Sequence, residues 1–292
     1  MIGNTPELVQ HALSEDWHIR LEVALDQFTP LNILAQLAKD KNENVRNAVA
    51  RNEVTPSGVL VVLAHDKSEY VRHSVAINKN TPLEALAMLS EDGDYRIREE
   101  VAKNSTTSSN ILVSLADDEH WNVRRNVAEN PHTPPDVLAQ LAKDEGWDVR
   151  YAVACSRFVA AETLAQLAND EQWEVRQRVA DNKNTPPEVL AQLVKEPPLR
   201  LFVAQNPSAP PDVLAELGED IDWHVRYWVV ANQGTPPEVL VKLASDEDHD
   251  VRTLARNRVP KQHYDTVSTP ESTINGLVNS PSLRTGWLGH DN

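Results

Sequence analysis

Residues 133–156 read TPPDVLAQLAKDEGWDVRYAVACS, and copies of this stretch recur along most of the chain. Thr185 opens TPPEVLAQLVKE, and Thr235 opens TPPEVLVKLASDEDHDVR. The most constant position is an arginine that follows an aliphatic residue; it occurs at Arg20, Arg46, Arg72, Arg98, Arg124, Arg150, Arg176, Arg200, Arg226 and Arg252. Eight of the nine spacings are 26 residues and the ninth is 24. A fixed period of this length predicts a solenoid, in which each unit packs only against its neighbours.

The composition limits the classes of function. The 292 residues carry a formal net charge of −16, which opposes a surface that follows nucleic-acid phosphates. Cys155 is the single cysteine, so neither an intramolecular disulfide nor a multi-cysteine metal site can form. The sequence contains no leader-like N-terminus and no run of eighteen apolar residues, so we expect a cytoplasmic protein without membrane contact.

The sequence of each unit predicts two helices, A and B, joined by a polar link. We expect the threonine of Thr-Pro to cap helix A, with proline at its first position, and the apolar spacing predicts about ten residues for this helix. Helix B is predicted to be shorter, with Val149 and Val153 buried. Seven units end helix B with asparagine, which predicts either a left-handed cap or an amide ladder between units.

The extent of the repeats predicts that the chain divides into a solenoid and a C-terminal segment. Residues 1–260 form the solenoid of about ten units of 24–26 residues, and residues 261–292 form an irregular linker plus a degenerate C-terminal capping repeat. Only four residues precede the first unit, so its layer is expected to be uncapped. An exposed apolar layer of this kind predicts possible self-association at the N-terminal end.

The pattern Leu-Ala-x-Asp-x-x-x-x-Val-Arg-x-x-Val-Ala-x-Asn-x-x-Thr-Pro resembles the leucine-rich repeat variant family from Thr5 to Val259. The resemblance implies an all-α, right-handed α-solenoid superhelix of α/3₁₀ or α/α units, without β-sheet. The units also look like short HEAT repeats, which carry an aspartate six residues before the arginine. The variant family can carry a cysteine-ligated iron–sulfur module, but Cys155 alone cannot supply it, so no cofactor and no metal are expected.

The arginine column is interpreted as structural rather than as an anion site. On a helix of 3.6 residues per turn, each arginine lies near the edge of the apolar stripe and is partly buried, so it requires a carboxylate. The aspartates six residues upstream supply one. The predicted ladder includes Asp144, Arg150, Asp170, Arg176, Asp220 and Arg226.

An aromatic column lies three residues before the arginines, at Trp17, Tyr95, Trp121, Trp147, Trp173 and Trp223. It is either an exposed stripe for a partner or a structural cover over the start of helix B, and we favour the structural reading. A second group lies one or two residues after the arginines: Tyr151, Leu201, Phe202, Tyr227 and Trp228. Such positions line the concave face of many solenoids, so this group is the candidate protein-contact patch, with packing between units as the alternative.

No phosphate-binding glycine loop, nucleophile elbow or zinc-protease motif is present, and the ten histidines recur in no common register. The sequence therefore predicts a non-catalytic scaffold or adaptor for a protein or peptide, with a basic partner suited to the acidic charge, and no nucleic-acid partner. The alternative is an enzyme or enzyme accessory on HEAT-like repeats, of the chromophore-lyase type or, less favoured because of the charge, the DNA-glycosylase type.

Overall fold

The computed structural model describes residues 5–259, and the predicted linker and capping repeat at 261–292 lie outside the described residues. Residues 5–259 contain twenty α-helices, one 3₁₀ turn at Pro197–Leu199 and no strand. The helices form ten consecutive A/B pairs, and each pair packs against the next. The prediction of an all-helical repeat solenoid is confirmed.

The odd-numbered helices are the A helices. They are α1 Thr5–Ala12, α3 Leu31–Leu37, α5 Ser57–Leu63, α7 Leu83–Leu89, α9 Ser109–Leu115, α11 Pro135–Leu141, α13 Ala161–Leu167, α15 Pro187–Leu193, α17 Pro211–Leu217 and α19 Pro237–Leu243. The B helices are α2 Trp17–Leu25, α4 Glu43–Arg51, α6 Glu69–Ile77, α8 Tyr95–Lys103, α10 Trp121–Glu129, α12 Trp147–Cys155, α14 Trp173–Asp181, α16 Arg200–Gln205, α18 Trp223–Ala231 and α20 His249–Arg258.

The predicted helix lengths were wrong. A typical helix A has 7 residues and a typical helix B has 9, so helix B is the longer of the two. Helix α11 begins only after Pro134, since a residue before proline is driven into extended backbone. At its other end, the backbone N–H of Asp144 donates to the Leu141 carbonyl at 3.1 Å, three residues back. Such tight turns end helix A early and lead the chain to the aspartate.

The seven threonines at this position between Thr29 and Thr235 do not cap helix A, contrary to the sequence-based expectation. The Thr29 hydroxyl instead donates to the Val23 carbonyl at 2.6 Å, at the end of the preceding helix B. The same bond is made by Thr55, Thr81, Thr107, Thr133, Thr185 and Thr235. All seven threonines are buried, so the hydroxyl satisfies a helix-end carbonyl that water cannot reach.

The asparagines that end helix B join neighbouring units. Asn52 has extended backbone (φ −70°, ψ 123°), so the left-handed cap was a wrong prediction. Its side-chain amide donates to the carbonyls of Ala24 and Asp26 in the preceding unit, at 2.8 and 3.0 Å. Its side-chain oxygen accepts from the backbone N–H of Val54 at 3.1 Å. The amide ladder is thus the reading that the structure confirms.

In the first and last described units, a residue other than asparagine occupies the ladder position. In the first unit the position is Asp26, which accepts from the backbone N–H of Phe28 at 2.9 Å but has no amide to donate. In the last described unit it is Arg258, whose guanidinium donates to the carbonyls of Val230 and Asn232. Arg258 therefore takes the place of the amide at the final layer.

The core is a continuous row of aliphatic side chains. Leu138 and Leu141 of helix A and Val149 and Val153 of helix B are at most 2% exposed, and equivalent residues fill every unit. Successive B helices pack on each other much more closely than successive A helices do. In a solenoid that curves, the more closely packed row lies on the inside, so we take the row of B helices as the candidate concave side. No helix within residues 5–259 has the length and apolar character needed to span a bilayer.

Candidate protein-binding surface

The arginine ladder joins each unit to the next. Arg150 donates from Nε to Oδ2 of Asp170 at 2.6 Å and from Nη2 to Oδ1 at 3.0 Å, a bidentate pair across twenty residues of sequence. Its Nη1 donates to the main-chain carbonyls of Asp144 and Glu145, at 2.8 and 3.1 Å. Four hydrogen bonds therefore tie the guanidinium to its own chain, and Oε1 of Glu171 lies 3.6 Å from Nη2 as a further ion-pair partner.

The pairing differs from the one expected by analogy with HEAT repeats. The aspartate six residues before the arginine contributes its backbone carbonyl, whereas its side chain pairs with the arginine of the preceding unit. Asp144, for example, accepts from Arg124 at 2.6 and 2.9 Å. The Asp144 carboxylate thus faces the preceding unit. Arg150, in the same unit as Asp144, extends toward the following unit and pairs with Asp170 there.

The same arrangement runs through the described chain. The interunit pairs are Arg20–Asp40, Arg46–Asp66, Arg72–Asp92, Arg98–Asp118, Arg124–Asp144, Arg150–Asp170, Arg176–Glu196, Arg200–Asp220 and Arg226–Asp246. Glu196 replaces aspartate in the unit that is two residues shorter, and its longer side chain still reaches Arg176 at 2.7 Å. Arg252, in the last described unit, donates to the carbonyls of Asp246, Glu247 and Asp248.

The ladder also sets the acid–base behaviour of its carboxylates. Burial by itself would raise the pKa of Asp170. Hydrogen bonds from Arg150 and from the backbone N–H of Gln172, together with the arginine charge, outweigh that effect and lower the pKa. The carboxylate is therefore ionised at neutral pH and acts as a fixed anchor rather than as a general base.

The aromatic column lies at the first position of the B helices, where the polar link enters the helix. Tyr95, Trp121, Trp147, Trp173 and Trp223 are 37–48% exposed. The Tyr95 ring stacks on His120 with 3.6 Å between centroids and 8° between planes. Trp17, in the first unit, is half-buried against the core and stacks on His18. Each of these rings is thus partly covered by the protein and partly open to solvent.

The five residues of the candidate contact patch divide into two groups. Leu201 and Phe202 of α16 and Tyr227 of α18 are half-buried and pack against the core, while Trp228 is 40% exposed. Helices α16 and α18 are neighbours, so these four residues lie together. Tyr151 lies on α12, two units before α16, with the Arg178 guanidinium 5.2 Å from its ring centre. The sequence left open contact with a partner or packing between units for this group; Trp228 is the member that is exposed, and the other four are half-buried against the core.

Trp228 forms one wall of an open groove between α18 and α20. The groove has a volume of about 440 Å³ and is lined by Trp223, His224, Tyr227, Trp228, Asp250, Thr253, Leu254 and Asn257. The Tyr227 and Trp228 rings meet edge to face, with 6.1 Å between centroids. Sequence reasoning missed the α20 wall, although Leu254 occupies the same column as Phe202 and Trp228. Its position two residues after a ladder arginine could have identified Leu254 as part of the groove from the sequence.

Cys155 lies where the asparagine ladder is interrupted. Ser156 replaces the asparagine, and Val159 replaces the threonine of the motif. A cavity of about 370 Å³ opens there, lined by Glu129, Pro131, Ala152, Cys155, Ser156, Arg157 and Phe158. Burial raises the pKa of the Cys155 thiol, which keeps its reactive thiolate form scarce at neutral pH. Within residues 5–259, no group of His, Cys, Asp or Glu side chains is arranged to hold a metal ion.

Ten stacked helix pairs with two interunit ladders define a helical-repeat solenoid. The family model "Leucine rich repeat variant" matches residues 121–146, and "Leucine Rich Repeat Variant domain" matches residues 176–227. A solved leucine-rich repeat variant with a repetitive structural motif has 28% sequence identity and a TM-score of 0.56; the match covers 76% of this chain and 88% of that chain. The chain is therefore similar to leucine-rich repeat variant proteins in these two stretches of sequence and in its fold.

Two further solved structures match this chain at lower similarity. An engineered protein has 16% identity and a TM-score of 0.42, with 87% of this chain and 97% of that chain covered. The YibA protein of Escherichia coli has 18% identity and a TM-score of 0.46, with coverages of 84% and 97%. A search of curated proteins found no sequence match. Neither matching family description names a catalytic activity.

Proposed function

We propose that this protein is a non-catalytic scaffold that binds a partner protein on the concave side of its solenoid. The single observation that carries the proposal is the exposed Trp228 beside Tyr227 in the groove between α18 and α20. Tryptophan and tyrosine are the side chains that most often dominate protein–protein contacts. A single cysteine suits a reducing compartment, so the proposal locates this contact in the cytoplasm.

We assign different roles to the constant and the variable positions of the repeat: the constant polar residues hold the units together, and the variable positions contact the partner. The arginines, asparagines and threonines of the motif are engaged in bonds within and between units. The columns one and two residues after the arginine change from unit to unit, from Glu99 and Glu100 to Tyr227 and Trp228. A constant frame with a variable inner column is the arrangement by which solenoids select partners.

The test compares partner capture by matched variants. Immobilised protein is incubated with a lysate of the source cells, and bound proteins are quantified by mass spectrometry for the wild type, Trp228→Ser and Leu31→Ser. Leu31 is a fair control because it is 55% exposed but lies on helix A. We expect Trp228→Ser to lose at least one reproducible partner by about tenfold, the scale of one interface hot spot.

Leu31→Ser should retain that partner, and both variants should keep the wild-type melting temperature within a few degrees. Identical partner lists for all three proteins would contradict the proposed contact site. A large loss of stability in Trp228→Ser would contradict it as well, because the ring would then be a packing element.

A further inference from the structure

Three consecutive units carry a glutamate and a tryptophan two residues apart where the link enters helix B. We call this surface the Glu–Trp row; it consists of Glu119, Trp121, Glu145, Trp147, Glu171 and Trp173. We propose that the Glu–Trp row binds an extended, basic segment of a partner protein with a cationic side chain at every third residue. This inference rests on the proposed protein-binding function but concerns residues outside the α18–α20 groove.

The acidic half of the row faces solvent. The side chains of Glu119, Glu145 and Glu171 are 78–91% exposed. Each carboxylate lies 3.5–3.7 Å from Nη2 of the ladder arginine of the preceding unit, which orients it without covering it. Asp148 and Glu174 add a second carboxylate directly after Trp147 and Trp173. The row therefore attracts cations, in a chain whose net charge is already −16.

The aromatic half of the row suits the same ligand. Trp121, Trp147 and Trp173 are 40–48% exposed, and tryptophan is the ring that binds cations best. The protein itself provides an example, since the Arg125 guanidinium lies 5.6 Å from the centre of the Trp121 ring. A ring beside a carboxylate can hold the stem of a lysine or arginine while the acid pairs with its charged end.

The row has definite limits on both sides. Upstream, Gly93 stands in place of the glutamate, and the Tyr95 ring is covered by His120. Downstream, Pro197 occupies the aromatic position and begins a 3₁₀ turn. The row therefore offers three consecutive subsites, of which the first has Asn122 in place of the second carboxylate and has Arg125 against its ring.

The spacing of these subsites matches the rise per turn of a polyproline II segment. Packed helices lie about 8–10 Å apart, so equivalent residues in successive units repeat at about that distance. A polyproline II segment rises about 9.3 Å in each turn of three residues. Every third side chain of such a segment meets a new subsite in the same orientation. Aromatic surfaces are also the usual docking sites for this conformation.

The test uses fluorescein-labelled synthetic peptides and fluorescence anisotropy. The probe is Lys-Pro-Pro repeated four times, and two controls are Glu-Pro-Pro repeated four times and a twelve-residue peptide with four lysines followed by eight prolines. We expect the first peptide to bind, the acidic peptide not to bind, and the respaced peptide to bind at least about fivefold more weakly, since it can fill the subsites only out of register.

Protein variants then locate the site. Trp121→Ala combined with Trp147→Ala should weaken binding of the Lys-Pro-Pro peptide by about tenfold, for two lost cation–ring contacts. Glu145→Gln combined with Glu171→Gln, which changes only exposed atoms, should weaken it by about fivefold. The control is Tyr70→Ala, because Tyr70 is an exposed aromatic ring that lies outside both the Glu–Trp row and the α18–α20 groove. It should bind the peptide as the wild type does.

Three results would overturn the inference: no binding of the Lys-Pro-Pro peptide, equal binding of the respaced peptide, or equal binding by both double variants. Trp228→Ser separates this inference from the proposed function. If Trp228→Ser loses its cellular partner yet binds the peptide normally, the two sites are distinct. Should the peptide fail to bind while that partner is still lost, only the Glu–Trp row is refuted.

Discussion

The side-chain amide of Asn130 donates to the main-chain carbonyls of Ala102 and Asn104 in the preceding unit, at 2.6 and 3.1 Å. Its oxygen accepts from the backbone N–H of His132 at 2.9 Å. One buried amide therefore closes its own turn and satisfies the end of the neighbouring helix B. Because buried carbonyls cannot bond to water, each such amide stabilises two layers at once.

Replacing Asn130 with aspartate should destabilise the protein strongly. Asn130→Asp keeps the shape and the acceptor oxygen, but it removes both donors and places a carboxylate beside two carbonyls. We expect a loss of about 2–4 kcal/mol in the free energy of unfolding, measured by urea denaturation. Asn44→Asp, at an exposed position of α4, should cost less than about 0.5 kcal/mol. Similar losses for both variants would contradict the interunit role of the amide.

Restoring the interrupted ladder should stabilise the protein. Ser156→Asn would place an amide donor near the carbonyls of Ala128 and Asn130, which the register assigns to this position, and a cavity of about 370 Å³ adjoins the site. We expect a gain of about 1 kcal/mol or more in the free energy of unfolding. The measurement is the urea midpoint at neutral pH. A lower midpoint than wild type would show that the serine is required there.

Acid should unfold the solenoid through its lowered carboxylates. The pKa of Asp170 is lower in the folded protein than the value of about 3.9 expected for the unfolded chain, so the unfolded state binds more protons between the two values. The contribution of this group is therefore complete above about pH 5 and is lost as the pH falls through the folded pKa. Asp40, Asp66, Asp118 and Asp246 shift in the same direction.

The check on this pH dependence is a series of urea midpoints from pH 2 to pH 7 for the wild type and Asp170→Asn. The variant cannot lose a proton at this position, so its stability should change less with pH than that of the wild type. Parallel curves for the two proteins would contradict a lowered pKa at Asp170.

Much of this architecture could be predicted from the sequence because the register is strict. The 26-residue spacing gives the number of units, and the apolar positions around Val149 and Val153 give the buried stripe. The roles of the polar positions were harder to predict. A threonine before proline resembles a helix cap, but the proline delays the helix and turns the hydroxyl toward the preceding helix end.

The partner of each arginine could not be read from a single unit. An aspartate lies six residues before Arg150 and another lies twenty residues after it, and the sequence presents both as candidates. The choice depends on which layer the guanidinium faces, a relation between units that spacing alone does not contain. For the same reason, the groove beside Trp228 required the position of α20, whereas the exposed aromatic residues themselves could be found from the register.

A double-mutant cycle tests most directly whether the arginine ladder joins each unit to the next. The cycle measures the free energy of unfolding for Arg150→Ala, Asp170→Ala and their combination, and then repeats the set with Asp144→Ala in place of Asp170→Ala. Each single variant should cost about 2–4 kcal/mol, because it leaves a buried partner unpaired. We predict a coupling energy of about 1–3 kcal/mol between Arg150 and Asp170 and a clearly smaller value between Arg150 and Asp144, whose carboxylate acts on Arg150 only through its charge. The reverse result, with coupling only to Asp144, would contradict a ladder that joins each unit to the next.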